Sequence, residues 1–190
     1  MRIAITGPSA SGKTTLAAEL ARTAGIRHVE LDALYHGPNW EPCSLDVLRE
    51  RVSAATEGDG WVTDSTYHTL LGDVVVARAD VLVWLDLPVR LVMWRLLRRT
   101  HMRNRDNVEL WNGNLEPGWR ESSRYLIWPA LRRSFENRRA FPARYADVNV
   151  LRLRSDAEVR AFVQSIQPIA STSGSSKSSA RQNTPPLSER

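Results

Sequence analysis

The sequence predicts a three-layer α/β domain, a five-stranded parallel sheet flanked by helices, and three observations carry that expectation. Short apolar runs alternate along the chain with stretches of helical period, the pattern of β-α-β units. A glycine-rich loop, Gly7-Pro8-Ser9-Ala10-Ser11-Gly12-Lys13-Thr14, joins the first apolar run to the first helical one. Three aspartates, Asp32, Asp64 and Asp86, close predicted strands, at the strand ends that line the crevice of an open parallel sheet.

Taken in order, Arg2 to Thr6 is a first strand, and Lys13 to Thr23 places Leu16, Ala17, Leu20 and Ala21 at helical spacing before Gly25 stops the helix. A second strand runs from about Arg27 to Leu31 and ends at Asp32. After a turn-rich stretch with Gly37, Pro38 and Pro42, Ser44 is placed to cap a helix reaching about Glu57, with Gly58 and Gly60 at its exit. Trp61 to Asp64, Val81 to Asp86 and Val148 to Leu153 read as the third, fourth and fifth strands. Between the last two lie a basic helix from about Val89 to Thr100, a polar stretch from His101 to Gly118 and a helix from about Trp119 to Ala140, an insertion long enough for a small helical lid. Residues 1–167 thus form one domain, and the serine-rich residues 168–190, without apolar period, read as a disordered tail.

Composition narrows the function classes. The chain has 190 residues, 42% hydrophobic and 25% charged, which suits one globular core. Its single cysteine, Cys43, excludes an internal disulfide and fits a reducing, cytoplasmic compartment. The residues before the glycine loop are too few for a signal peptide's apolar region, and no stretch reaches the ~18 apolar residues of a membrane span. The net charge is +5, and its cations are arginines except Lys13 and Lys177. Arginine suits phosphate contacts, whether on a small substrate or a nucleic acid, but such a bias also follows from base composition alone, so charge does not decide between partners.

The loop has the spacing G-x-x-x-x-G-K-[ST] between a strand and an amphipathic helix, which is the context of a P-loop. Its glycines let successive N–H groups face phosphate oxygens at a helix N-terminus. The expected nucleotide-binding set is Gly7, Pro8, Ser9, Ala10, Ser11, Gly12, Lys13 and Thr14 with Thr15, the cofactors being ATP and Mg²⁺. Lys13 would bridge the β- and γ-phosphates and Thr14 would ligate the cation. Asp64 is the second candidate ligand, with a helix cap for residues 65–77 as the alternative. Asp32 would orient or deprotonate an acceptor hydroxyl, or else serve a turn. Asp86, before Leu87-Pro88, reads as a helix cap.

Arg95 and Arg99 are four apart, share a helix face and are placed to stabilise a transferred phosphoryl group; the alternative is a solvated basic helix. Trp61, Trp84 and Trp94 lie in apolar segments and read as core, whereas Trp40, Trp111 and Trp119 lie in polar stretches and either stack on a ring or pack locally. His28, His36, His68 and His101 have no metal-site spacing.

These motifs together resemble the adenylate-kinase-like P-loop proteins, most closely the small bacterial group labelled DNA topology modulation or FlaR-related protein. The likeness spans roughly residues 1–165 and adds Leu31-Asp32-Ala33-Leu34-Tyr35, Gly60-Trp61-Val62-Thr63-Asp64 with Tyr67, Leu85-Asp86-Leu87-Pro88 and Trp94-Arg95 to the P-loop. It implies an acceptor region near residues 33–60, a lid near 100–120, lid arginines at Arg95 and Arg99, and a loop at Arg154 and Ser155 against the adenine. One departure stands out: adenylate kinases follow the third-strand aspartate with Gly-Phe-Pro-Arg, and here Ser65-Thr66-Tyr67-His68 follows Asp64.

The expected activity is transfer of the γ-phosphoryl of Mg·ATP to an unidentified small-molecule acceptor, a nucleotide being one class, by a monomer or small homo-oligomer. No glutamate follows Asp64 or Asp86 to polarise water, which argues against hydrolysis as the main reaction. The alternative is a nucleotide-dependent regulator that contacts DNA, less favoured because no nucleic-acid-reading module is present.

Overall fold

The computed structural model describes residues 1–115, 132 and 138–166. Strands β1 (Arg2–Thr6), β2 (Arg27–Val29), β3 (Trp61–Thr63), β4 (Val81–Leu85) and β5 (Val150–Leu153) form one parallel sheet in the order β2-β3-β1-β4-β5. The central strand is covered on both faces, which is why its sequence is a continuous apolar run: Ile3, Ala4 and Ile5 are fully buried.

Successive side chains feed the two faces alternately. Ile3 and Ile5 join Val83 and Leu85 against Leu16 and Leu20 of α1 (Lys13–Ala24) and Val163 of the closing helix. Ala4, Leu82 and Trp84 face the opposite layer, where Leu48 and Val52 of α3 (Leu45–Ala55) pack with Phe141 and Tyr145. Ser44 caps α3 by accepting from the Val47 amide at 3.4 Å. β1 and β3 are neighbours in the sheet, Ala4 pairing with Thr63, so the glycine loop after β1 and Asp64 after β3 emerge side by side.

Three elements differ from the sequence reading. β2 stops at Val29, and Leu31–Tyr35 forms a short helix, α2, so Asp32 lies in a first helical turn rather than at a strand end. The Leu31 amide donates to Asp64 Oδ1 at 3.3 Å, which takes it out of the ladder. Residues 65–77 hold one α-helical turn, α4 (His68–Leu71), bounded by left-handed Tyr67 (φ 45°) before it and Gly72 (φ 60°) after it, and a 3-10 turn starts at Val76. α5 (Val89–Asp106) passes through Thr100, which is fully buried, and ends at left-handed Asn107; no helix breaker precedes it.

α6 (Asp156–Ser165) follows β5 and is capped by Ser155, whose hydroxyl accepts from the Glu158 amide at 3.2 Å. Most of the expected helix from Trp119 to Ala140, the end of the expected lid and the tail from 168 lie outside the described residues; residues 138–144 are helical. Among the described residues no helix is long and apolar enough to cross a membrane.

Candidate functional site

The loop after β1 curls through Gly7, Ala10 and Gly12, whose φ angles are 154°, 62° and 98°. Glycine is required at Gly7 for space: a Cβ there would stand 2.9 Å from the Leu85 carbonyl oxygen. Gly12 supplies the left-handed turn from which α1 starts. The loop therefore delivers backbone amides to the mouth of α1, where the helix dipole favours an anion.

Lys13 folds back over the loop, its ammonium donating to the Gly7 and Pro8 carbonyls, each at 3.0 Å. Burial pushes its pKa down, and the nearby charges of Asp32 and Asp64 act against that shift. Thr14 Oγ1 donates to Asp64 Oδ2 at 2.7 Å. With the Leu31 amide on its other oxygen, the Asp64 carboxylate is held by two elements, and burial raises its pKa although the Thr14 hydrogen bond opposes this.

Asp64 is thus bonded across to the P-loop and to the first amide of α2, and it caps no helix over residues 65–77. A hydroxyl and a carboxylate oxygen within hydrogen-bond reach beside an anion cradle fit Mg²⁺, which takes one or two protein oxygens and draws the rest of its shell from phosphate and water. Among the described residues there is no group of three or more His, Cys, Asp or Glu side chains that would hold a metal without such help.

Next to the Leu31 amide that Asp64 holds, Asp32 Oδ1 accepts from the Tyr67 hydroxyl at 2.6 Å. Burial, followed by the charge of Asp32, pushes the Tyr67 phenol far above its ordinary value, so it stays a neutral donor. From α5, Arg95 makes a two-pronged pair with Asp156 at 2.9 and 2.7 Å and lies 3.5 Å from the Ser11 carbonyl oxygen, while Arg99 donates to Ser9 Oγ at 3.0 Å. Both arginines therefore overhang the P-loop, as their four-residue spacing suggested.

One cleft of about 1230 Å³ joins these groups: its walls include Ser9 to Thr15 of the loop, Asp32, Asp64, Arg95 and Arg99, and the rings of His36, Trp40 and Trp111. The other assignments fall elsewhere. Asp86 caps nothing: Pro88 holds the cap position without a side-chain bond, and the buried Asp86 carboxylate pairs with Arg138 and, at 2.5 Å, with Arg152. Arg152 also lies 4.4 Å over Trp84, which stacks on Phe141. Ser155 serves as a helix cap. Trp61 and Trp84 are core, but Trp94 is 57% exposed, beneath the Arg98 guanidinium.

Trp40 and Trp111 meet edge to face, ring centres 6.5 Å apart, and Trp119 lies outside the described residues. Sequence reasoning gave no role to Asp156, Glu30 or Asn114. The first holds Arg95, the second accepts from Trp111 Nε1 at 2.7 Å, and the third accepts from the Trp40 amide at 2.9 Å. Their partners lie 61, 81 and 74 residues away, so no local pattern announces them.

No family model and no curated protein matches the sequence. Among solved structures, a shikimate kinase from Bacteroides thetaiotaomicron superposes with a TM-score of 0.52 at 17% identity, over 86% of this chain and 94% of that one. Deoxyadenosine kinase from M. mycoides with bound dATP gives 0.50 at 14% identity, over 86% and 98%. At such identities the likeness is one of fold: the chain has the three-layer architecture of the P-loop kinases, a five-stranded parallel sheet flanked by helices.

Proposed function

We propose that the chain is an ATP-dependent phosphotransferase that moves the γ-phosphoryl group of Mg·ATP to the hydroxyl of a small molecule. The observation that carries this reading is the shared cleft, lined by Lys13, by the Thr14–Asp64 pair and by Asp32, whose carboxylate Tyr67 holds.

In this reading the loop amides and Lys13 hold the triphosphate, and Thr14 and Asp64 hold Mg²⁺. The cation, when bound, offsets charge on the phosphates during transfer. Asp32, oriented by Tyr67, accepts the proton of the acceptor hydroxyl as its oxygen bonds to the γ-phosphorus and the bond to ADP breaks. Arg95 and Arg99 stabilise the charge on the transferred group. The side chain after Asp64 is Ser65, which offers no general base for water, so transfer is favoured over hydrolysis.

Membership in the bacterial DNA topology modulation group is part of the proposal and rests on the sequence motifs alone, as does a cytoplasmic location. The test is incubation with Mg·ATP and panels of nucleosides, nucleotides, sugars and hydroxyl metabolites, with Lys13→Ala as control. Product that disappears in the variant supports the reading. ATP binding without any phosphorylated acceptor, accompanied by salt-sensitive DNA binding, would replace it with the regulatory alternative.

A further inference from the structure

The rings of His36, Trp40 and Trp111 line the cleft, and Tyr35 and Tyr67 continue the contacts behind them. From the phenol that holds Asp32, edge-to-face contacts run Tyr67 to Tyr35 at 5.3 Å, Tyr35 to His36 at 4.7 Å, His36 to Trp40 at 5.3 Å and Trp40 to Trp111 at 6.5 Å. Both indole N–H groups are already engaged: Trp40 Nε1 donates to the Leu115 carbonyl at 2.9 Å and Trp111 Nε1 to Glu30 at 2.7 Å. What these side chains have left to offer a ligand is aromatic surface.

The wall is also pre-set. Trp40 itself, Asn39 and Asn112 are left-handed, at φ 60°, 57° and 57°, which costs each residue about 1–3 kcal/mol. Bonds between the two loops hold them there: Asn114 accepts from the Trp40 amide and donates to the Gly37 carbonyl at 2.9 Å, and Asn112 donates to the His36 carbonyl. Backbone strain held by cross-loop bonds, around rings that line a cleft, is the construction of a rigid stacking platform.

Charge is distributed unevenly over the same walls. Among the described residues, the cations lining the cleft, Lys13, Arg95, Arg99 and Arg103, lie on the P-loop and α5, whereas the segment that carries His36 and Trp40 contributes the Asp32 carboxylate. An anionic group set against this wall meets that carboxylate, and a neutral planar group meets π faces.

We infer that the acceptor is an uncharged planar compound bearing a hydroxyl, of the nucleoside class, its ring against Trp40 and Trp111 and its hydroxyl at Asp32. This rests on the phosphotransferase reading and narrows it, setting nucleosides ahead of nucleoside monophosphates and sugar acids.

Two measurements on the full chain separate the inference from the reading beneath it. Calorimetric titration of ribo- and deoxyribonucleosides, with the triphosphate site filled by a non-hydrolysable ATP analogue, reports the ring wall directly. Phosphorylation with Mg·ATP of the same nucleosides, their 5′-monophosphates, shikimate and gluconate reports the chemistry. Expected are nucleoside binding and a kcat/KM at least about tenfold above the anionic acceptors. Trp40→Ala is expected to raise the nucleoside KM about tenfold, the worth of one stacked base, with the KM for ATP unchanged, and Trp40→Phe to recover most of the loss.

Preferred phosphorylation of a monophosphate or a sugar acid, with no nucleoside bound, overturns the inference and leaves the phosphotransferase standing. Nucleoside binding without transfer to any acceptor overturns the phosphotransferase and keeps the ring site. Neither binding nor transfer overturns both.

Discussion

The Tyr67 hydroxyl donates to Asp32 Oδ1 across 2.6 Å, joining the loop after β3 to α2 and leaving the carboxylate on the wall of the cleft. Tyr67 holds this position from a left-handed backbone (φ 45°), which its neighbours must sustain.

Removing that donor while keeping the ring is therefore informative. Tyr67→Phe is expected to lower kcat about tenfold, the low end of what a hydrogen bond to a charged group is worth, with the KM for ATP unchanged. Steady-state kinetics with both substrates varied checks this; an unchanged kcat would show that Asp32 needs no such positioning.

Asp64 gives a stability signature. Burial raises its carboxyl above 3.8, so the folded chain keeps this proton to higher pH than the unfolded chain does. As pH rises from 3.8 through the raised value, stability from this group falls, and above it the buried charge is a standing cost. Asp64→Asn removes that cost. Melting curves without nucleotide or Mg²⁺ should show the variant gaining on wild type as pH rises from about 4 toward neutral, while phosphotransfer falls by roughly two orders of magnitude. A melting difference independent of pH would contradict the assignment.

Arg95 is held by Asp156 from the first turn of α6. If that pair aims the guanidinium at the P-loop, Asp156→Ala should cost about three- to tenfold in kcat and have no further effect in an Arg95→Ala background. The double-mutant cycle isolates the coupling; additive effects would mean that Asp156 acts through something else.

Asp86 separates local from distant partners. Serine is a good helix cap, so Asp86→Ser would be neutral if the residue were a cap. Because Arg138 and Arg152 depend on the carboxylate, the substitution is expected to cost about 1–3 kcal/mol in denaturant unfolding, less than for a fully buried pair since both arginines are over a third exposed.

What was legible in the sequence is what local physics dictates. The five strands read as apolar runs because most are covered on both faces, and the P-loop read from glycine spacing because Gly7 has no room for a Cβ. Asp64 read correctly as lying beside the loop, since adjacent parallel strands bring their ends together. The misses have distant causes. Asp-Leu-Pro looks like a helix start in isolation, but the partners that claim Asp86 lie 52 and 66 residues on. Asp32 was placed at a strand end because the expected strand continued to Leu31, whose amide Asp64 claims from 33 residues away. Trp94 lies in an apolar segment, yet on α5 it sits two residues off the buried stripe of Val92, Leu96 and Thr100 and is exposed.

The central claim is phosphoryl transfer within one cleft, and its most direct measurement follows the terminal phosphate of γ-labelled ATP in the presence of Mg²⁺ and a mixed panel of hydroxyl acceptors. Label should appear in an acceptor with the wild-type chain, and transfer should fall by at least about 100-fold with Lys13→Ala and with Asp32→Asn. Label that appears only as inorganic phosphate, or transfer that survives both substitutions, would contradict the account.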